Sequence, residues 1–416
     1  MPKIKIKNFG PIKKGYTQNQ GYIDISNVTV FIGNQGTGKS TIAKLISTFT
    51  WMEKALFRGD YTENVFTTMD FLDERLPYHK IEGYLADNTE IDYIGDAYSI
   101  KYANKSMEIK KNNDNGYALP QIMYVPAERN IINIEGVGKL KGISGALSDF
   151  ISEYSSHASD AMKEPIELPI NGIKAEYDKT EKTMFLRGSE YKIRLSEAAS
   201  GFQSLVPLFL VSRYFANSIS NVKTMPTMSG EEKKRYSESI ATIWNDQSLS
   251  DEQKRLNISE ISKKFNKTSF VNIIEEPEQN LFPASQWHVL AKLLEFNNIV
   301  GMEESVPKNK LIITTHSPYL INFLTLAVEV GEAKKRYKTC AQAEELFHIF
   351  PWNNSLVNPK NLSIYELDDN GTVRFLEPYD GYLPSDENKL NFHLGESNEI
   401  FSQLMELEQS YASKLY

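Results

Sequence analysis

A chain of 416 residues, 41% hydrophobic and 24% charged, lies in the ordinary globular range and can fill one large core or two to three small ones. Its 54 acidic against 46 basic residues give a formal charge of -8, which argues against wrapping nucleic acid by bulk charge but not against a local basic patch. One cysteine, Cys340, excludes an internal disulfide, so a reducing cytoplasm is the expected location.

The predicted elements follow in chain order. Met1 to Lys7 alternates apolar and charged side chains, the period of an edge strand, and has no apolar run of the export type. Asn27 to Ile32 is a short β-branched run that stops at Gly33. From Lys39, the residues Ile42, Leu45, Ile46 and Phe49 recur at helical spacing, which gives the order strand, glycine-rich loop, helix. Between Glu90 and Lys111 the chain is rich in Tyr, Ile and Thr, with turn clusters at 103–105 and 112–116 that predict antiparallel hairpins. Ile173 to Tyr177 and Thr183 to Leu195 form a second pair, leading into a turn at Ser200-Gly201.

Residues 216–267 are polar with spaced apolar positions and predict a helical insertion with a mobile tip near 225–230. Leu311 to Val330 is the most apolar long stretch. His316, Pro318 and Asn322 inside it indicate a buried strand and a helix, and no membrane contact is expected. Leu362 to Phe375 predicts a hairpin turning at Asp368 to Gly371, and a final amphipathic helix carries Ile400, Leu404 and Leu407 on one face. The expected division of a single head over 1–416 is a P-loop and antiparallel β lobe at 1–130, hairpins and a signature region at 131–215, and the insertion at 216–268. The core carrying the carboxylates and the histidine follows at 269–330, and a hairpin and helix at 331–416.

Gly33-Asn34-Gln35-Gly36-Thr37-Gly38-Lys39-Ser40 has the spacing of a P-loop, and Thr41 follows it in the helix. Glycines let the backbone approach phosphates and aim N–H groups at them, and the helix N-terminus adds favourable potential. Lys39 is expected to reach the β- and γ-phosphates of ATP, and the Ser40 hydroxyl to ligate Mg²⁺. Phe270 to Ile274 is an apolar strand ending in Glu275 and Glu276. Neighbouring side chains alternate at a strand end, so Glu275 is expected to hold Mg²⁺ and Glu276 to polarise the attacking water. A second apolar strand, Lys310 to Thr315, ends at His316, which is placed to bond the γ-phosphate or that water.

Ile4 to Ile12, the P-loop, Pro126-Ala127-Glu128-Arg129, Glu275 to Pro283 and Thr315 to Pro318 together resemble the ABC-type ATPase heads of the SMC, RecF and OLD-like group, the OLD-like branch above all. The resemblance spans roughly Lys3 to Asn322. It implies an α/β fold of the P-loop NTPase, ABC-ATPase type: a mixed central sheet, an antiparallel β-subdomain and a helical insertion. Glu278 to Pro283 stands where transporter ATPases carry a different sequence, which argues against a transporter. The resemblance also implies a signature motif that reaches the ATP of a second subunit. Its match here is Leu195 to Ser204, with Ser200, Gly201 and Gln203 as nucleotide contacts in a head-to-head pair holding two ATPs.

Gln121 is the candidate for the group's loop glutamine near the metal. Arg58 is expected to be solvated, and Arg129 to face either nucleotide or structure. An insertion of about fifty residues is too short for a coiled-coil arm, and about one hundred residues after His316 are few for an appended nuclease domain. Short heads of this kind resemble the ATPase subunits of anti-phage systems such as PARIS and Septu, which implies a separate nuclease or toxin effector, with the insertion and the last helix as partner surfaces. A DNA-repair ATPase of the RecF kind is the alternative, with Lys139, Lys141, Lys233, Lys234, Arg235, Lys263 and Lys264 available for a basic face. A scaffold that binds ATP without turning it over is a third reading.

Overall fold

The computed structural model describes residues 1–67, 71–112, 117–133, 141–159, 162–220, 228, 230–299, 309–336 and 350–376. Cys340, Lys139, the predicted last helix with Ile400, Leu404 and Leu407, and most of the predicted tip at 225–230 lie outside them.

Strands β1 (Lys3–Phe9), β2 (Gly15–Tyr16), β3 (Ile23–Asp24) and β4 (Val28–Gly33) precede helix α1 (Lys39–Arg58). Short helices α2 (Glu63–Thr67) and α3 (Leu76–Tyr78) lead to β5 (Leu85–Ile94), β6 (Tyr98–Ala103) and β7 (Ser106–Lys111). The turn predicted at 103–105 closes the β6–β7 hairpin, β5 and β6 turn instead at 95–97, and most of the cluster predicted at 112–116 lies outside the described residues. With the first strand these strands form an antiparallel sheet in the order β3-β1-β5-β6-β7. Strand β1 is not an edge: β3 flanks it at Lys3 and Ile4, and β5 along its length. Its period-two alternation reports one buried face, since Ile4, Ile6 and Phe9 are at most 1% exposed.

Beyond β8 (Pro120–Val125) and α4 (Gly145–Glu153), strands β9 (Ile166–Glu167), β10 (Lys174–Asp178), β11 (Thr183–Arg187) and β12 (Lys192–Arg194) make a second antiparallel sheet. Helix α5 (Ser200–Ser220) then continues past residue 216, so the helical excursion starts later than its composition suggested. It consists of α6 (Gly230–Asn245) and α7 (Asp251–Phe265), a hairpin with Trp244 and Leu256 exposed. The chain returns through β13 (Ser269–Glu275), α8 (Pro283–Asn298), β14 (Lys310–Thr315), α9 (Pro318–Arg336), β15 (Leu362–Leu367) and β16 (Thr372–Phe375). Among the described residues no helix is long and apolar enough to cross a membrane.

The central sheet has the order β2-β16-β15-β4-β14-β13-β8, and its five strands from β15 to β8 run parallel. Continuous apolar runs without alternation are the mark of strands covered on both faces, and all seven positions of β13 are buried. Along β4, Val28, Val30 and Ile32 enter a core with α5, α8 and α9. Phe31 points the other way, into a core with α1 and the antiparallel lobe. Helix α1 thus lies between the two sheets, and the parallel register brings the ends of β4, β13 and β14 to one edge. The crevice outside the carboxyl ends of parallel strands is where open α/β sheets place ligands.

Candidate nucleotide-binding site

At the end of β4 the loop turns through three glycines with positive φ: Gly33 at 140°, Gly36 at 78° and Gly38 at 104°. Such angles cost little only for glycine. Gly38 is the residue before α1, so its left-handed turn presents the free amides of the helix N-terminus to the loop. A methyl group at Gly38 would also stand 2.5 Å from Ile12 Cδ1. Gly38→Ala is therefore expected to lose about 1–3 kcal/mol of stability in denaturant titration and to weaken nucleotide binding about tenfold or more.

Within the loop, Lys39 Nζ donates to Gly33 O at 2.9 Å and Asn34 O at 2.6 Å, and Thr37 Oγ1 donates to Asn34 O at 2.9 Å. Burial pulls the Lys39 ammonium below its ordinary value, while Glu276, Glu278 and Glu275 draw it back up. The ammonium folds back onto the loop's own carbonyls. Asn34, Gln35 and Gly36 are exposed, and Thr41, in the first turn of α1, is 4% exposed.

Ser40 Oγ donates to Glu275 Oε2 at 2.5 Å, and Tyr124 donates its hydroxyl to Glu275 Oε1. Sequence reasoning missed Tyr124. Its signal was a strand beside the carboxylate strand, which in the parallel register pairs Tyr124 with Ile273. One hydroxyl and one carboxylate oxygen side by side fit Mg²⁺, which is ordinarily bound by one or two carboxylates with phosphate and water completing the set. Among the described residues there is no cluster of three or more His, Cys, Asp or Glu of metal-cage type.

Glu276 leaves the strand with φ 45°, a left-handed angle uncommon for a non-glycine residue. That twist separates the two carboxylates: Glu275 stays beneath Ser40, and Glu276 Oε1 comes within 3.7 Å of His316 Nδ1. Both side chains are about one-third exposed, as groups facing a substrate must be. Glu278, also missed, fixes the histidine loop, since its Oε1 accepts from Thr315 Oγ1 at 2.6 Å and from the His316 amide at 3.1 Å. Burial pushes the Glu278 carboxyl up.

Arg129 turns out to be structural. Its side chain is fully buried and donates to Pro126 O at 3.2 Å, Glu275 O at 2.7 Å, Glu276 O at 2.5 Å and Ser204 O at 3.2 Å. Burial lowers the guanidinium to about 10, still charged at neutral pH. One side chain thus ties the carboxylate strand end to the first turn of α5, where the predicted signature residues lie. Ser200 opens that helix and is exposed, and Gly201 packs so closely that a methyl group there would stand 2.6 Å from Asn280 O. Gln203 is spent locally, because its Nε2 donates to Ser196 O and Ala198 O.

Gln121 is not brought to this site. It pairs with Phe270 at the start of β13, five residues before Glu275, and so lies ~16 Å back along parallel strands. Arg58 is not solvated either: its side chain is 6% exposed and paired with Asp60 and Glu232.

No protein-family model and no curated protein matches the chain. Two solved structures show a distant likeness. The SMC head domain from Thermotoga maritima is 12% identical, with 77% of this chain and 90% of that chain covered at a TM-score of 0.34. A dimeric ATP-binding cassette protein in a post-hydrolysis state with ADP and Pi is 12% identical, with 91% and 100% covered at 0.25. Likenesses this weak carry no weight by themselves. The fold class rests on the molecule's own features: a P-loop between a parallel strand and helix α1, a mixed central sheet, an antiparallel β-subdomain and a helical insertion, the α/β architecture of ABC-type P-loop NTPases.

Proposed function

We propose that the chain is an ATP-binding and ATP-hydrolysing head that pairs with a second copy around two ATP molecules and serves as sensor and regulatory scaffold for a separate nuclease or toxin effector in antiviral defence. The observation that carries the ATPase reading is the convergence at three parallel strand ends: Lys39 on the loop carbonyls, Ser40 against Glu275, and Glu276 beside His316. In this reading Lys39 exchanges backbone carbonyls for β- and γ-phosphate oxygens. Ser40 and Glu275 would hold Mg²⁺, which when bound offsets the charge building on those phosphates. Glu276 accepts a proton from the attacking water, and His316 donates to the γ-phosphate.

Pairing is supported by the start of α5, where the exposed Ser200 offers a helix N-terminus to the γ-phosphate held by a partner copy, with Gly201 buried behind it. Arg129 joins that start to the hydrolytic carboxylates, so both halves of a shared site are held in register. The effector reading draws on the sequence resemblance to short anti-phage heads, with the α6–α7 hairpin, on which Trp244 and Leu256 are exposed, as the proposed partner surface. On the same hairpin Arg235 turns inward to Asp60, which depletes the basic face a DNA-maintenance role would use.

The test is the solution mass of the protein without nucleotide, with ATP and Mg²⁺, and as Glu276→Gln with ATP. A doubling that requires ATP and persists in Glu276→Gln is expected; a monomer in all three conditions overturns the paired head. Salt-sensitive DNA binding that tightens with ATP would move the role from effector control to DNA maintenance.

A further inference from the structure

A cavity of about 370 Å³ lies against the C-terminal half of α1, walled also by α4, β8 and the first turns of α6. Lys54, one of its residues, is fifteen positions beyond Lys39 on the same helix, ~22 Å away, so the cavity is separate from the P-loop.

Part of the wall is crowded with cations. Lys54, Arg58 and Lys267 converge on the Glu232 carboxylate at 3.0, 2.7 and 2.8 Å, each with a side chain at most 8% exposed. Arg58 and Arg235 share Asp60. Over the whole wall, five cations (Lys54, Arg58, Arg75, Arg235 and Lys267) face four carboxylates (Asp60, Asp149, Glu153 and Glu232), an excess of one positive charge. Burial, reinforced by Lys267 and Arg58, lowers the Lys54 ammonium to about 8. Burial alone would raise Glu232, yet the three cations hold it far below the usual carboxylate range.

Other wall residues are polar and unsatisfied. His79 is 1% exposed, and neither ring nitrogen has a hydrogen-bond partner. Gln121 is 7% exposed, and its Oε1 has none. Buried polar atoms without partners are rare and costly. Burial drives the His79 imidazole down to about 3, so it is neutral and offers one donor and one acceptor. Trp51, Tyr78, Tyr124 and Phe215 supply aromatic surface beside these groups.

We propose that this cavity binds a ligand of the mononucleotide class, with a phosphate on the Lys54–Arg58–Lys267 cluster and a planar hydrogen-bonding ring against His79, Gln121 and the aromatic wall. The volume suits a small molecule of that size. Its position has a consequence for the nucleotide site, because Tyr124 faces the cavity, meets the His79 ring edge-on at 4.7 Å, and donates to Glu275. The ligand therefore sits one side chain from the carboxylate assigned to Mg²⁺. Glu232 brings the insertion to the same place.

The test is calorimetric titration of the full chain, as it stands and as Lys39→Ala, with AMP, GMP, CMP and UMP, and with adenosine and inorganic phosphate as half-ligands. At least one nucleotide is expected to bind more tightly than either half-ligand, equally in both forms, and Lys54→Met and Gln121→Leu are each expected to weaken it by about tenfold or more. Gln121→Leu removes an oxygen that has no partner and, from Nε2, only a long 3.4 Å donation to Ile122 O, so the thermal midpoint of the empty protein should change little, and lost binding cannot be ascribed to unfolding. The proposal is overturned if no nucleotide binds, if binding disappears with Lys39→Ala alone, or if both cavity variants leave it intact. Inorganic phosphate binding as well as every nucleotide overturns the ring half. The failure of the P-loop reading is distinguishable, since it would leave the cavity titration unchanged.

Discussion

Glu276→Gln is expected to lower ATP hydrolysis by about 10²–10⁴-fold while leaving ATP affinity nearly unchanged. The substitution keeps the side chain's length and removes only its capacity to take a proton. The backbone geometry should survive, because φ 45° at this position is held by the neighbours: the Glu276 amide donates to Thr314 O at 2.9 Å, and Arg129 donates to the Glu276 carbonyl. ATP binding depends on Lys39 and the loop amides, none of which the change touches. Single-turnover hydrolysis together with nucleotide titration separates the two effects. Glu278 is the competing base, but it is 6% exposed, with one oxygen committed to Thr315 and the His316 amide, and burial favours its protonated form. Hydrolysis by Glu276→Gln within about threefold of the unmodified protein would sink the assignment and point to Glu278. The accompanying His316→Ala should also slow hydrolysis, by a smaller factor, because a donor to the γ-phosphate is lost while the base remains.

Local chemistry was legible in the sequence wherever one short segment carries it whole. The P-loop, the apolar strands ending at Glu275 and Thr315, and the hairpin turn at 103–105 all depend on spacing within a few residues, and the structure has each of them. What spacing cannot show is which residue from a distant segment stands opposite. Tyr124 reaches Glu275 across a strand pair separated by 151 positions, and Arg129 reaches Glu276 across 147. Gln121 was misplaced for the same reason: its strand was identified, but only the register with β13 shows which end of that strand meets the carboxylates. The alternation of β1 was read as an edge because a strand with one buried face and an edge strand look alike until its neighbours are known. Arg58 carries the same lesson in charge. An arginine at the end of a helix looks solvated; Asp60 beside it and Glu232, which arrives from the insertion, together make its burial tolerable.

Arg129→Ala is expected to cost about 3–5 kcal/mol of folding stability, the largest single loss outside the hydrophobic core. Four carbonyl oxygens from three segments, Pro126, Glu275, Glu276 and Ser204, accept from this one guanidinium. Removing it strips those acceptors of a charged donor at a fully buried side chain, and also leaves a cavity the size of that side chain. Arg129→Lys separates stability from function. It keeps the charge and much of the volume, so it should recover part of the denaturant midpoint, but a single ammonium cannot span a fork that now reaches both the Glu276 carbonyl and the first turn of α5. With the left-handed turn at Glu276 less firmly held, kcat for ATP hydrolysis should fall by about tenfold or more with KM little changed. A lysine variant that restores stability together with full kcat would reduce Arg129 to packing alone. Loss of kcat at near-normal stability would show that one buried cation sets the base and holds the helix start in register with it, so a change at either end of the site is felt at the other.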